Sequence, residues 1–278
     1  MKADIYQPSL PLSRYIDNYM IVDIDWKAVN QEYAVWRLIP FGQTSMLFLY
    51  GDLHQYNMEG AQFDMLQTRR AFMVGQLTKP IWLKFSDHTR LVKVQFKPGG
   101  IHQLLPVNMQ EFTNVPSVDL EAVWGYTVNL LLEQLFEATS DEQRVALMNQ
   151  FLEARLYPAS GLIDYVDFSI QQLRKNKGNV AVQQLEDQLG ISSRHLERLF
   201  RTRIGLSPKE LGKIMRLNFA LSRLKEADIS LCAVSHDAGY YDQSHFSRDF
   251  KSIAGVAPSK LLSESATELF VTNGKCFI

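Results

Sequence analysis

The chain has 278 residues, of which 46% are hydrophobic and 21% are charged. These proportions exclude a disordered or fibrous chain, and the length suits about two globular domains. No apolar run approaches the roughly 18 residues that span a bilayer, and the opening segment carries Asp4 and two prolines where a secretory signal needs an apolar core. Cys232 and Cys276 are too few for a disulfide framework and fit no metal-ligand spacing. We therefore expect a cytoplasmic protein with no membrane segment, metal or cofactor.

The net charge of −1 conceals an uneven distribution. Residues 163–262 hold 15 Lys and Arg against 11 Asp and Glu, whereas the rest of the chain is acidic. Within 190–225 there are nine basic residues and only two acidic ones, Glu197 and Glu210. A basic segment is what a phosphate backbone requires of a partner, although many such stretches are only solvated helix faces.

The N-terminal half is predicted to be β-structure. Apolar and polar residues alternate over Pro80–His88 and again over Leu91–Pro98, with turn-forming residues between them at Ser86–Thr89, so this pair is predicted to form a hairpin. Further short strands are predicted at Val35–Pro40, Ser45–Tyr50 and Arg70–Val74. Several short strands at this spacing are typical of a small barrel or sandwich.

The period then becomes helical. One apolar helix face is formed by Val128, Leu131, Leu132 and Leu135. Ser140 and Gln143 form a capping box that opens a second helix, which ends near Leu156. Such a helical pair could cover the open end of the β domain or bury part of its stripe against a second subunit. We expect a homodimer built on residues of about 125–156.

A break in the helical pattern at Tyr157–Gly161 marks the expected domain boundary. We expect a β-rich sensor and dimerisation domain over 1–157, a helical domain over 163–262 and a C-terminal tail over 263–278.

The helical domain opens with a helix-turn-helix pattern. Val182–Leu189 has the apolar spacing of a short helix, Gly190 suits a turn that needs positive φ, and Ser192 caps the next helix. The inward stripe of that helix consists of Leu196, Leu199 and Phe200. Its outward face carries Arg194, Glu197, Arg198 and Arg201. Guanidinium groups at this spacing can contact phosphates and the edges of guanine bases.

The same pattern recurs after a connecting helix. Ser207–Glu210 forms a capping box that opens a long helix, expected to reach about Lys225. The second unit has Ser230 as a cap, Gly239 at the turn, 49 positions after the first turn glycine, and Asp242 at the start of a helix. Its inward residues are Phe246 and Phe250, and its outward residues are Gln243, Ser244, Arg248 and Lys251. Two such units joined by a capped helix are far more specific than one.

These residues resemble the AraC/XylS family of transcriptional regulators. The match is strongest over Gly239–Lys251 and Gly255–Pro258, and the first unit matches through Ser192–Phe200 and Gly205–Pro208. By position, the resemblance implies base-edge contacts from Arg194, Glu197, Arg198, Gln243, Ser244 and Arg248. Further DNA-binding residues are expected at Ser193, Arg201, His245 and Lys251.

The expected fold class is α+β in two domains. The first is a cupin-like, mostly β barrel or sandwich with two helices, and the second is an all-α domain with two helix-turn-helix units. The resemblance implies double-stranded DNA, RNA polymerase, a small-molecule effector and a second copy of the chain as partners.

Other residues support weaker interpretations. An effector pocket could be lined by Trp36, Tyr50, Trp82 and Phe85, although strand aromatics are more often simple core. Tyr240 and Tyr241 are expected to pack around the second turn. His54, His88 and His102 are isolated, and no nucleophile–base arrangement or phosphate loop appears, so we do not expect an enzyme. Two alternatives are an effector-free regulator whose first domain only dimerises and an enzyme with an appended DNA-binding domain.

Overall fold

The first half of the chain forms two sheets. In the computed structural model the described residues are 2–29, 33–51, 55–57, 64–65, 70–115, 117–157, 164–224, 229–263, 268–272 and 275–276. The strands are β1 (Lys2–Tyr6), β2 (Ile16–Asp25), β3 (Tyr33–Leu38), β4 (Ser45–Leu49), β5 (Gln55–Asn57), β6 (Asp64–Met65), β7 (Ala71–Val74), β8 (Ile81–Ser86), β9 (His88–Phe96), β10 (Val118–Asp119), β11 (Glu268–Thr272) and β12 (Lys275–Cys276). One sheet has the order β1-β2-β9-β4-β7-β10, and the other has the order β12-β11-β3-β8-β5-β6.

The first sheet is buried on both faces. On β2, Tyr19 and Ile21 join a core shared with helices, whereas Met20 and Val22 join a core shared with the second sheet. Because successive side chains of a strand point to opposite faces, the run Tyr19–Val22 in this strand is apolar at every position. The expected α+β fold is confirmed, and its β part is a sandwich of two open sheets.

The predicted hairpin is wrong. β8 pairs with β3 and β5 in the second sheet, whereas β9 pairs with β2 and β4 in the first sheet. The chain crosses between the sheets at Asp87, which has a φ of 53°. Alternation predicts each strand but carries no information about its partner, so adjacency in sequence is not enough to pair two strands.

Helices cover the outer face of the first sheet. They are α1 (Leu120–Trp124), α2 (Thr127–Glu137) and α3 (Asp141–Glu153). This half of the chain also has the 3-10 helices Lys27–Val29, Gly100–Gln103 and Met109–Phe112. The Ser140 hydroxyl accepts the Gln143 backbone amide hydrogen, but the Gln143 side chain accepts from the Thr139 amide instead of the Ser140 amide, so the predicted capping box is only half formed. Val128, Leu131, Leu132 and Leu135, the predicted apolar stripe of α2, are buried in the core of the first sheet, so this stripe serves its own domain.

The second half is helical. Its helices are α4 (Tyr165–Lys175), α5 (Val182–Leu189), α6 (Ser193–Arg203), α7 (Pro208–Arg223), α8 (Leu231–Asp237), α9 (Gln243–Ala254) and α10 (Pro258–Ser263). Their inward faces form one core around α7. Within the described residues, no helix is both long and apolar enough to cross a membrane.

The two halves are in contact. Ile39, which comes directly after β3, is buried in the core of the helical domain, and the Asn218 amide of α7 donates to the Phe41 carbonyl at 3.2 Å. The Thr113 hydroxyl donates to the Gly205 carbonyl at 2.7 Å. These contacts place the N-terminal domain against α7 and against the end of α6.

Candidate DNA-binding surface

The first helix-turn-helix unit consists of α5 and α6. Gly190 ends α5 with a φ of 66°, in the left-handed region that glycine adopts without a steric penalty. The Ser192 hydroxyl then accepts the His195 amide hydrogen, satisfying a donor that would otherwise be unpaired at the start of α6. Leu196 and Phe200 are fully buried. With its inner face fixed in the core, α6 presents the opposite face outward.

The outward face of α6 carries the expected residues. Ser193, Arg194, Glu197 and Arg198 are exposed. Arg201 is held by Glu197 at 3.2 Å and approaches Glu210 at 3.7 Å. These carboxylates orient the Arg201 guanidinium beside α7, whereas Arg194 extends from the first turn of the helix.

The second unit, α8 and α9, repeats this design. Gly239 has a φ of 74°, and the Asp242 carboxylate accepts the His245 amide hydrogen at 2.6 Å to begin α9. Phe246 and Phe250 are fully buried, and their rings pack edge to face. Both recognition helices therefore start at a capped residue and are anchored by two buried side chains one turn apart.

The outward face of α9 is polar and cationic. Gln243, Ser244, Arg248 and Lys251 are exposed. His245 is only half-exposed: its ring packs edge-on against Tyr240, and Nε2 lies 3.8 Å from an Asp249 carboxylate oxygen. These contacts favour a packing role for His245.

Ionic contacts hold the second unit to α7. Lys213 of α7 bonds Asp249 of α9 at 2.8 Å, and Arg223 bonds Asp237 of α8 at 3.0 Å. The Arg216 guanidinium lies 5.0 Å from the ring centre of Tyr240. Burial raises the pKa of the Tyr240 hydroxyl to about 12, although the nearby Arg216 charge lowers it. The Tyr240 ring is therefore a neutral packing element between the two helices.

One aromatic residue is exposed against expectation. Tyr241 precedes the cap of α9 and is 95% exposed, whereas Tyr240 is buried as predicted. The two N-caps, Ser192 and Asp242, are 50 positions apart, but the turn glycines are only 49 apart. The second turn is thus one residue longer than the first. This difference in spacing was the sequence signal that could have predicted the exposed Tyr241. The extra residue places a phenol on the same end of α9 as Gln243.

The proposed effector residues lie apart where they are described. Tyr50 is buried on the helix side of the first sheet, between the Arg90 and Arg144 guanidinium groups. Trp82 is half-buried and lies near the end of α9. The side chains of Trp36 and Phe85 lie outside the described residues. The pocket formed by these four residues stays a prediction.

A cavity lies between the two sheets. Its volume is about 50 Å³, and its polar lining includes Gln43, Ser45, Lys93 and Gln95. Its far wall is the segment Leu38–Phe41, which also contacts α7. Among the described residues, no three His, Cys, Asp or Glu side chains are grouped closely enough to hold a metal ion.

Comparison with known proteins finds matches to both halves of the chain. A helix-turn-helix domain matches residues 185–264, and a domain of unknown function matches residues 4–117. The transcriptional activator RhaS of Pectobacterium atrosepticum is 32% identical over 77 residues, 28% of each chain. The transcriptional regulator CdhR of Pseudomonas aeruginosa is 24% identical over 147 residues, 48% of this chain and 44% of CdhR. The structure of ToxT from Vibrio cholerae aligns with 88% of this chain and 97% of its own, at a TM-score of 0.46 and 13% identity.

RhaS and CdhR are both named as transcriptional regulators, and the helical half of this chain is a helix-turn-helix domain. It is of the AraC type, and the resemblance to the AraC/XylS family is confirmed. The chain covers less than half the length of RhaS and of CdhR in these matches. Both are named as regulators, which agrees with the expectation that this chain is not an enzyme.

Proposed function

We propose that this chain is a sequence-specific regulator of transcription that places α6 and α9 in successive segments of the major groove of double-stranded DNA. The observation that carries the proposal is the pair of capped helices, each with a polar outward face, braced by the single 16-residue helix α7. Recognition helices that enter one DNA face are spaced by about 34 Å, the length of one helical turn. A rigid connecting helix keeps that spacing constant.

The outward residues divide into two roles. Arg194 and Arg198 of α6, with Gln243 and Arg248 of α9, are exposed and can form the bidentate contacts that distinguish guanine and adenine. Arg201 is oriented by carboxylates at the base of α6, which suits a phosphate contact.

Selection from a random duplex library tests the proposal. The full chain should enrich a site with two conserved blocks about one helical turn apart. Binding should also weaken steeply with salt, because each phosphate that Lys or Arg neutralises releases counterions. No enrichment by a folded chain would contradict the proposal.

We further propose that a small-molecule effector acts through the cavity between the sheets. The segment Leu38–Phe41 forms one wall of that cavity and also contacts α7, through Ile39 in the helical core and the Phe41 carbonyl bonded to Asn218. A ligand that moves this wall would therefore act directly on the helix that joins the two recognition helices.

The alternative is an effector-free regulator, and the small cavity favours it. Ligand sites usually measure about 300–1,000 Å³, whereas this cavity has about 50 Å³ because apolar side chains fill the space between the sheets. Thermal shifts of the full chain against a library of small molecules separate the two functions. A shift that is lost in Ser45→Phe, which narrows the cavity, supports effector control. The absence of any shift supports the alternative.

We also propose that the chain forms a homodimer in the bacterial cytoplasm. This dimer would recruit RNA polymerase at its DNA site. Tyr126 and Leu130 of the α2 region stay exposed after its main stripe is buried. A second copy covering them would double the DNA contacts. Sedimentation of the full chain should give a dimer that Leu130→Glu converts to monomer. A monomeric wild type at micromolar concentration would contradict dimerisation.

A further inference from the structure

Part of the N-terminal domain lies beside the first recognition helix. The 3-10 helix Met109–Phe112 packs against the end of α6, where the Thr113 hydroxyl donates to the Gly205 carbonyl at 2.7 Å. Gly205 has a φ of 93°, and a Cβ atom there would lie 2.8 Å from the Met109 carbonyl oxygen. The backbones are thus in direct contact, and the position of the 109–112 helix relative to α6 is fixed.

The two elements line one shallow, open groove of about 690 Å³. Asn108 and Gln110 of the N-terminal domain line one side. The other side is the outward face of α6, formed by Ser192, Arg194, His195, Glu197, Arg198, Arg201 and Thr202. The groove is therefore continuous with the surface that is proposed to bind DNA.

The net positive charge of the groove favours binding of an anionic group. Three guanidinium groups face it against one carboxylate, that of Glu197, which is already bonded to Arg201. When a helix enters the major groove, which is about 12 Å wide, a phosphate strand flanks it on either side. The strand nearest the 109–112 helix would run through this groove, with arginines on one side and amides on the other.

Gln110 is the available donor on the N-terminal side. The Asn108 side chain is occupied within its own turn. Its oxygen accepts the backbone amide hydrogen of Gln110, and its nitrogen lies 3.4 Å from a Glu111 carboxylate oxygen. Gln110 is exposed, and its side-chain amide has no hydrogen-bond partner within the described part of the chain. Side-chain amides of this kind commonly donate to phosphate oxygens.

We infer that Gln110 donates a hydrogen bond to a DNA phosphate beside α6, so that the DNA-binding surface extends from the helix-turn-helix domain onto the N-terminal domain. This inference rests on the proposed DNA-binding function. It gives the N-terminal domain a direct contribution to affinity, which any change in the contact between the domains would alter.

Two substitutions in the full chain test the inference. Gln110→Ala should weaken binding to a random-sequence duplex about two- to tenfold, the range for one net hydrogen bond. Gln110→Lys should add an ion pair and steepen the slope of log K against log salt by about 0.9. Gln7, exposed between β1 and β2, provides matched Ala and Lys controls. Fluorescence anisotropy between about 50 and 200 mM salt measures both effects.

The outcomes are distinguishable. Equal affinity for Gln110→Ala and wild type, with the same salt slope for the two Lys variants, overturns the inference. Tighter binding by Gln110→Ala also overturns it, because the 109–112 helix would then obstruct DNA. If the folded wild type binds no duplex, the proposed function fails and this inference fails with it.

Discussion

The recognition helix of the first unit turns Arg194, Glu197 and Arg198 outward, whereas that of the second turns Gln243, Ser244 and Arg248 outward. The inward positions behave alike: Leu196 and Phe200 in α6, and Phe246 and Phe250 in α9, are all fully buried. Packing density constrains the inward half of each helix, while solvent leaves the outward half free to vary. The proposed DNA-binding function therefore allows the two units to read different bases from one scaffold.

The units also differ in the element that comes after the recognition helix. After α6, Ser207 and Glu210 form a complete capping box that starts the 16-residue α7. At the matching positions after α9 stand Ala257 and Lys260, and α10 has only six residues. The first unit therefore leads into a structural brace, whereas the second leads only into a short helix.

Removal of a buried phenyl ring should have the largest effect, and an equal one in both units. Phe200→Ala and Phe250→Ala should each lower the free energy of unfolding by about 3–5 kcal/mol, because each leaves a cavity in the shared core. Urea unfolding measures the loss. Tyr241→Ala, at an exposed position, is the control and should change stability by less than about 0.5 kcal/mol. A much smaller loss in one unit would show that the scaffolds are not equivalent.

Two glycines of the first unit should differ in sensitivity. Gly190→Ala should cost about 1–2 kcal/mol of unfolding free energy, because a left-handed φ is unfavourable for alanine and nothing lies within 4 Å of the new methyl group. Gly205→Ala should cost about 1–3 kcal/mol more, because the methyl group would collide with the Met109 backbone of the N-terminal domain. Equal costs would contradict the fixed contact between the domains.

Substitution of an outward arginine should affect DNA binding at a different half-site in each unit. Arg194→Ala and Arg248→Ala should each relax sequence preference at a different half-site, at a cost of about 1–3 kcal/mol for a lost bidentate base contact. Arg201→Ala should instead weaken binding to all sequences alike and reduce the salt slope by about 1. Binding to a panel of single-base variants checks this. A uniform loss in Arg194→Ala would identify Arg194 as a phosphate contact.

The smallest expected effect on stability comes from the Ser207–Glu210 capping box that starts α7. Burial raises the pKa of the Glu210 carboxyl, but hydrogen bonds from the Ser207 amide and hydroxyl and the Arg201 charge outweigh it, so the pKa lies below its ordinary value of 4.5. Its stabilisation is therefore present above pH 4.5 and is lost as the pH falls through the lower folded-state pKa.

Glu210→Gln should accordingly be less stable than wild type at pH 7, and the difference should vanish in acid. Urea unfolding from pH 7 to pH 3 measures it, with Asp187→Asn at an exposed position as the control. A difference that is independent of pH would mean that the ionised carboxylate contributes nothing to the cap.

Local signals predicted the helical domain well. Ser192, Ser207, Ser230 and Asp242 all cap helices as expected, because a capping bond spans only three residues. β2 was missed, since a strand that is buried on both faces has no alternation to detect. The cavity between the sheets could not be predicted, because it combines segments that are distant in sequence.

A hydroxyl-radical footprint of the full chain on a duplex selected from a random library tests the central claim, that one chain reads DNA with two recognition helices. Two protected blocks per chain, with centres about 10–10.5 base pairs apart on one face of the duplex, are predicted. A single protected block, or two blocks on opposite faces, would contradict a reader in which α7 holds α6 and α9 at a fixed spacing.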